Sequence, residues 1–168
     1  MDTTVPAGVV TQVGTTQRFP LGYTVEIPEN GPGLTADRGS KKYRYIYNDS
    51  GADIAANKLV ARKAGALTWR GLVAAAGTVY NKHRILGFTE TAIPNGSYGF
   101  VVVKGFITGT AGSGAALSAD TPVSSGGGTV AGTFLDAPNT ADGAKAVIGM
   151  SGAGVAADGS VLLYLDVE

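Results

Sequence analysis

The side chains that could carry chemistry are few and scattered. The one histidine, His83, lies in Asn81-Lys82-His83-Arg84. Two cationic neighbours oppose its protonation and no carboxylate is near in sequence to orient it, so it reads as a surface or turn histidine. There is no cysteine, and one histidine cannot by itself supply the ligands of a soft metal. Asp136, Asn139 and Asp142 bring oxygens together but lack the calcium-loop spacing, and they read as a loop. The run Gly109-Thr110-Ala111-Gly112-Ser113-Gly114 lacks the Lys-Ser/Thr of a phosphate loop and no helix pattern follows it; Gly126-Gly127-Gly128 is equally bare. No Gly-x-Ser-x-Gly elbow occurs. Thirteen acids leave a carboxylate pair for glycoside cleavage open, but few of them sit beside aromatic sugar platforms, and Trp69, between Thr68 and Arg70, reads as a packing residue at a strand end. Asn48-Asp49-Ser50 and Asn95-Gly96-Ser97 match the glycosylation sequon and read as turns. These residues predict a protein that is not an enzyme and uses no cofactor or metal.

The elements that would position any site are strands. The chain has 26 glycines and 7 prolines among its 168 residues, about twice average glycine usage. They punctuate short runs of Val, Ile, Leu, Phe and Tyr, as expected for strands joined by tight turns. Residues 21–27 alternate, with Leu21, Tyr23, Val25 and Ile27 on one face. Residues 42–47 alternate likewise, with Tyr43, Tyr45 and Tyr47 opposite Lys42, Arg44 and Ile46. Leu72 to Ala76, bracketed by Gly71 and Gly77, could make one helical turn. Residues 1–20 show no period and read as an extended N-terminal arm ordered by a partner or by the body of the fold.

A strand pattern recurs. Ile54 to Val60 aligns with Leu117 to Val123 at an offset of 63; Ile85-Leu86-Gly87 aligns with Val147-Ile148-Gly149 at 62; Asn95-Gly96-Ser97 aligns with Asp158-Gly159-Ser160 at 63. Gly87 and Gly149 read as bulges or close backbone approaches, and the Asn-Gly and Asp-Gly pairs as hairpin turns. The expected architecture is all-β: a compact, Gly-rich β-sandwich or barrel-like domain over 21–168, with pseudo-repeats 52–105 and 115–168 behind the arm.

The formal net charge is zero, which gives no global case for nucleic acid or an anionic membrane. It hides a division. Residues 38–84 carry ten cationic side chains against two acidic ones, and residues 105–168 carry one against six. Either these charges interleave on one surface, or a basic and an acidic face meet between subunits. The interleaved Lys41-Lys42-Tyr43-Arg44-Tyr45 has the composition of single-strand binders, but alternation explains it as a basic face behind an aromatic one. Residues 1–20 lack the pattern of a signal peptide, no apolar run is long enough to span a bilayer, and the lack of cysteine fits synthesis in a reducing cytoplasm.

The segments Leu86-Gly87-Phe88, Ile93 to Gly105 and Tyr45 to Val60 resemble small structural proteins of tailed bacteriophages, and most of all their capsid decoration, or cement, proteins. The resemblance covers about 43–168. It implies a β-rich subunit on the exterior of the virion capsid, made in the host cytoplasm, which binds the major capsid protein and stabilises the head. It also implies a homo-oligomer, with a trimer favoured and a dimer left open by the duplication. Nucleic acid and membrane are not among the implied partners. Candidate capsid or subunit contacts are Val5, Val9 and Val13 of the arm and Lys41, Lys42 and Arg44 of the basic strand. The alternative is a receptor- or carbohydrate-binding module of a head or tail fibre, with Trp69 and Tyr80 or Tyr23 as its aromatic platform.

Overall fold

One long strand organises the chain. In the computed structural model, which describes residues 7–29, 39–65, 68–76, 78, 80–112, 116–125, 131–136 and 147–168, β6 (Tyr98–Thr110) belongs to two barrels in turn. Its first half pairs antiparallel with β2 (Ser40–Asn48) and, at Phe88↔Val102, with β5 (Ile85–Phe88). β5 pairs with β3 (Leu59–Arg62), β3 with β4 (Arg70–Val73), and β4 returns to β2 in parallel register at Asn48↔Gly71. Those five pairings close a ring. The second half of β6 pairs with β10 (Ser160–Asp166), β10 with β9 (Val147–Ser151), β9 with β7 (Pro122–Ser125) and β7 with β8 (Phe134–Asp136). A parallel bridge, Ala111↔Phe134, closes the second ring. β1 (Thr24–Pro28) adds to the outer edge of β2. The ten strands thus form one continuous sheet, and the fold is all-β.

The two rings share their details. The parallel closures Asn48↔Gly71 and Ala111↔Phe134 are 63 residues apart. The Asp49 N–H donates to Gly71 O at 3.2 Å, and the Gly112 N–H to Phe134 O at 2.8 Å. Asn57 and Asp120 both adopt positive φ, 59° and 51°. The ladder slips after Val60 in one ring and after Val123 in the other. Thr89 Oγ1 accepts from the Lys58 N–H at 3.0 Å, and Ser151 Oγ accepts from the Thr121 N–H at 3.2 Å. A Cβ on Gly87 would fall 2.5 Å from Val102 O, and one on Gly149 2.3 Å from Tyr164 O, so each glycine marks a close backbone approach.

The recurring unit is longer than 52–105 and 115–168, because it includes β2 in the first copy and the second half of β6 in the second. No turn separates the copies; the join is marked only by Gly105, which takes a positive φ of 118° within β6. The hairpin alignment also moves by one residue. The positive φ falls on Gly96 (72°) and Asp158 (60°), 62 apart, so Asp158 rather than Gly159 takes the place of Gly96.

The barrel interiors explain the apolar pattern. The first holds Ile46, Ile54, Val60, Leu86, Ile93 and Val101, each fully buried. At offsets of 63 or 62 the second places Gly109, Leu117, Val123, Ile148, Val155 and Leu163. Five of these six are aliphatic; the exception, Gly109, stands where Ile46 would. Its place is filled from the neighbouring strand, β8. A Cβ on Gly109 would lie 2.8 Å from the Phe134 ring, whereas Gly71, the counterpart of Phe134, faces Ile46. The large and small residues have exchanged sides, which conserves filled volume.

Two local expectations change. Leu72 lies in β4 rather than a helical turn, because its strand closes the first ring. The first strand begins at Thr24, not Leu21. Gly22 turns the chain with φ 84° and abuts Trp69, where a Cβ would fall 2.0 Å from Nε1. Of the two ways the N-terminal arm could be ordered, residues 7–20 are ordered by the body of the fold. Val10 is buried in the larger core cluster, Val9 packs on that cluster and Val13 on the other. Gly14 and Tyr98 exchange backbone hydrogen bonds at 3.2 and 2.8 Å. The apolar side chains of this segment find more surface to cover on their own barrels than an extended arm would leave them.

Candidate interaction surface

The residues singled out as contacts are largely engaged within the chain. Val9 and Val13 pack on its own core, and Val5 lies outside the described residues, as do Asn139 and Asp142. Lys41 Nζ pairs with Glu29 at 2.9 Å and Glu90 at 2.8 Å, with 13% of its side chain exposed. Burial alone would lower its pKa, but the hydrogen bonds it donates to Glu90 and Glu29 outweigh it and hold it above the usual lysine value. Lys42 pairs with Glu168. The Tyr43 hydroxyl donates to Glu90 Oε2 at 2.9 Å. Burial, then the Glu90 charge, pushes this phenol well above the usual tyrosine range.

Arg44 alternates inward with Ile46, toward the end of the first barrel. Its guanidinium lies 4.7 Å from the centre of the Trp69 ring, and so does that of Arg62. Trp69 is therefore bracketed by two cations. Burial and then Arg62 lower the Arg44 pKa, against the opposing charge of Glu168. This arrangement counts against the carbohydrate platform. Trp69 meets two guanidiniums and Gly22, Tyr80 lies under Arg84 at 5.5 Å, and Tyr23 stacks on Phe19 at 5.2 Å.

Part of the uneven charge is met inside the chain. Lys82 reaches Asp166 at 3.4 Å, Lys104 reaches Asp166 at 3.9 Å and Glu168 at 4.0 Å, and Lys42 meets Glu168. Cations of the first copy thus meet carboxylates at the end of the second. Asp49, held by Lys63 and Arg70, has its pKa lowered by those hydrogen bonds.

What remains open is the outer face of the second barrel. Among the described residues the exposed large apolar side chains are Met150 (48%), Leu162 (36%) and Tyr164 (36%). Tyr164 sits in register between Phe106 of β6 and Met150 of β9, and the Phe106 and Tyr164 rings meet edge to face at 5.3 Å. Beside this row lies a cleft of about 340 Å³ lined by Glu26, Ser40, Lys42, Lys104, Tyr164 and Glu168. Period two puts Leu162 and Tyr164 on one face of β10 with Asp166, and does not say which way that face turns. Only closure of the barrel shows which face turns outward.

Fold and surface together define an all-β module of two fused five-stranded barrels with an apolar contact row. No family model matches the sequence, and no curated protein does. Among solved structures the chain is similar to the head fiber gp8.5 N base of bacteriophage phi29, with a TM-score of 0.50 and 15% sequence identity. The match covers 75% of this chain and 96% of that one. The two share a fold.

Proposed function

We propose that this chain is a structural protein of a bacteriophage head, and that it binds the major capsid lattice from outside as a decoration, or cement, subunit. The observation that carries this reading is the fold shared with a phage head fiber base. The protein acts by binding, not by catalysis. A subunit that binds only the assembled lattice shifts it toward assembly, by about 2.7 kcal/mol per site at a hundredfold excess over Kd. The test adds purified protein to capsids that lack it. Sedimentation with the capsids and a raised capsid disruption temperature are expected; no binding to any capsid surface would overturn the proposal.

The likeness to a fiber base favours a second reading, in which the module anchors a head fibre. Copy number on purified virions separates the two. A cement subunit that covers the lattice is present in many copies, a fibre base in few.

A further inference from the structure

We infer that the outer face of the second barrel, built on Phe106, Met150, Leu162 and Tyr164, is a self-association surface whose occupant is the same face of a second copy of this chain. The chain's own repeat makes the argument. In the first barrel the equivalent positions are Tyr43, Phe88, Phe100 and Val102, and all four are buried. There Phe19 meets Phe100 at 5.5 Å and Phe134 meets Phe88 at 5.8 Å, while Val9, Leu21 and Tyr23 pack on the same cluster. This face is thus covered in one copy by aromatic and aliphatic side chains of the chain itself. In the other copy it retains its apolar character, with Met150, Leu162 and Tyr164 exposed and Phe106 half-buried beside them. Exposed rows of this kind mark interaction sites.

The rim selects the occupant. Lys42, Lys82 and Lys104 stand beside Asp166 and Glu168 along one edge. A strongly acidic or strongly basic partner would meet like charges at part of that edge. An identical surface turned about a two-fold axis can present lysine to carboxylate on both sides, as an isologous contact requires. The formal net charge of zero leaves little long-range repulsion between copies.

The inference stands apart from the phage-head reading, because its test uses the isolated protein without capsids. Sedimentation equilibrium of the full chain should show concentration-dependent self-association. Tyr164→Asp and, separately, Leu162→Asp should each weaken it by about tenfold or more, with circular dichroism and melting confirming that the variants remain folded. Lys104→Glu should weaken it as well, and adding Asp166→Lys should restore it. A wild-type chain that stays monomeric to about 1 mM would overturn the inference, as would an oligomer indifferent to all of these substitutions. If the wild-type chain is monomeric and Tyr164→Asp abolishes capsid binding instead, the face belongs to the capsid and the inference is likewise wrong.

Discussion

The exchanged pair inside the barrels can be tested by exchanging it back. Phe134 is fully buried, and Phe134→Gly should cost about 4–6 kcal/mol, from lost burial, an unfilled cavity and a glycine in a strand. Gly109→Ile places a Cβ 2.3 Å from Leu163 Cδ1 and 2.8 Å from the Phe134 ring, and should cost about 3 kcal/mol or more by overpacking. Were the two effects additive, the double variant would lose about 7–9 kcal/mol, most of the stability of an ordinary domain. The double variant, however, recreates the Ile46/Gly71 arrangement of the first barrel. It should fold, with a coupling energy of about 3 kcal/mol or more relative to the sum of the singles. Equilibrium urea denaturation followed by circular dichroism measures all four corners of the cycle. Additivity within about 0.5 kcal/mol would refute the equivalence of the two interiors.

Other consequences follow from named contacts. The Asn48 side chain is buried and donates to Ala52 O at 2.9 Å and Ile93 O at 2.7 Å, so Asn48→Ala should lower stability by about 2–3 kcal/mol by chemical denaturation. Trp69→Ala removes the ring between Arg44 and Arg62 and should cost about 2–4 kcal/mol; a melting temperature unchanged within 1–2 °C, as for an ordinary surface substitution, would contradict the packing role. Folded Tyr43 keeps its proton where an unfolded tyrosine, with a pKa of about 10, releases it. The unfolded state then binds fewer protons, so stability should fall as pH rises above about 10. Raised Lys41 acts in the same direction, since its contribution is full below about pH 10.4 and is lost as pH passes its folded-state value. Tyr43→Phe should reduce the alkaline loss and leave the Lys41 component, measured as urea midpoints between about pH 8 and 11.

The sequence by itself determined the strand class, the faces of the first strands and the existence of a repeat, because these are written in short-range terms. A period of two assigns Tyr43 and Tyr45 to one side of β2, and aliphatic pairs before Gly87 and Gly149 recur wherever the same backbone approach recurs. Tertiary structure alone decided the rest. Whether β6 ends a copy or runs on into the next depends on which strands bind its two halves, and Gly105 at the join reads equally as a strand end or as a bulge within one strand. Lys41, Lys42 and Arg44 look like an open basic strand until Glu90, Glu168 and Trp69, remote in sequence, arrive beside them. Leu162 and Tyr164 become a surface for the same reason. Alternation separates the two faces of a strand, but only closure of the ring around the other face turns this one toward solvent.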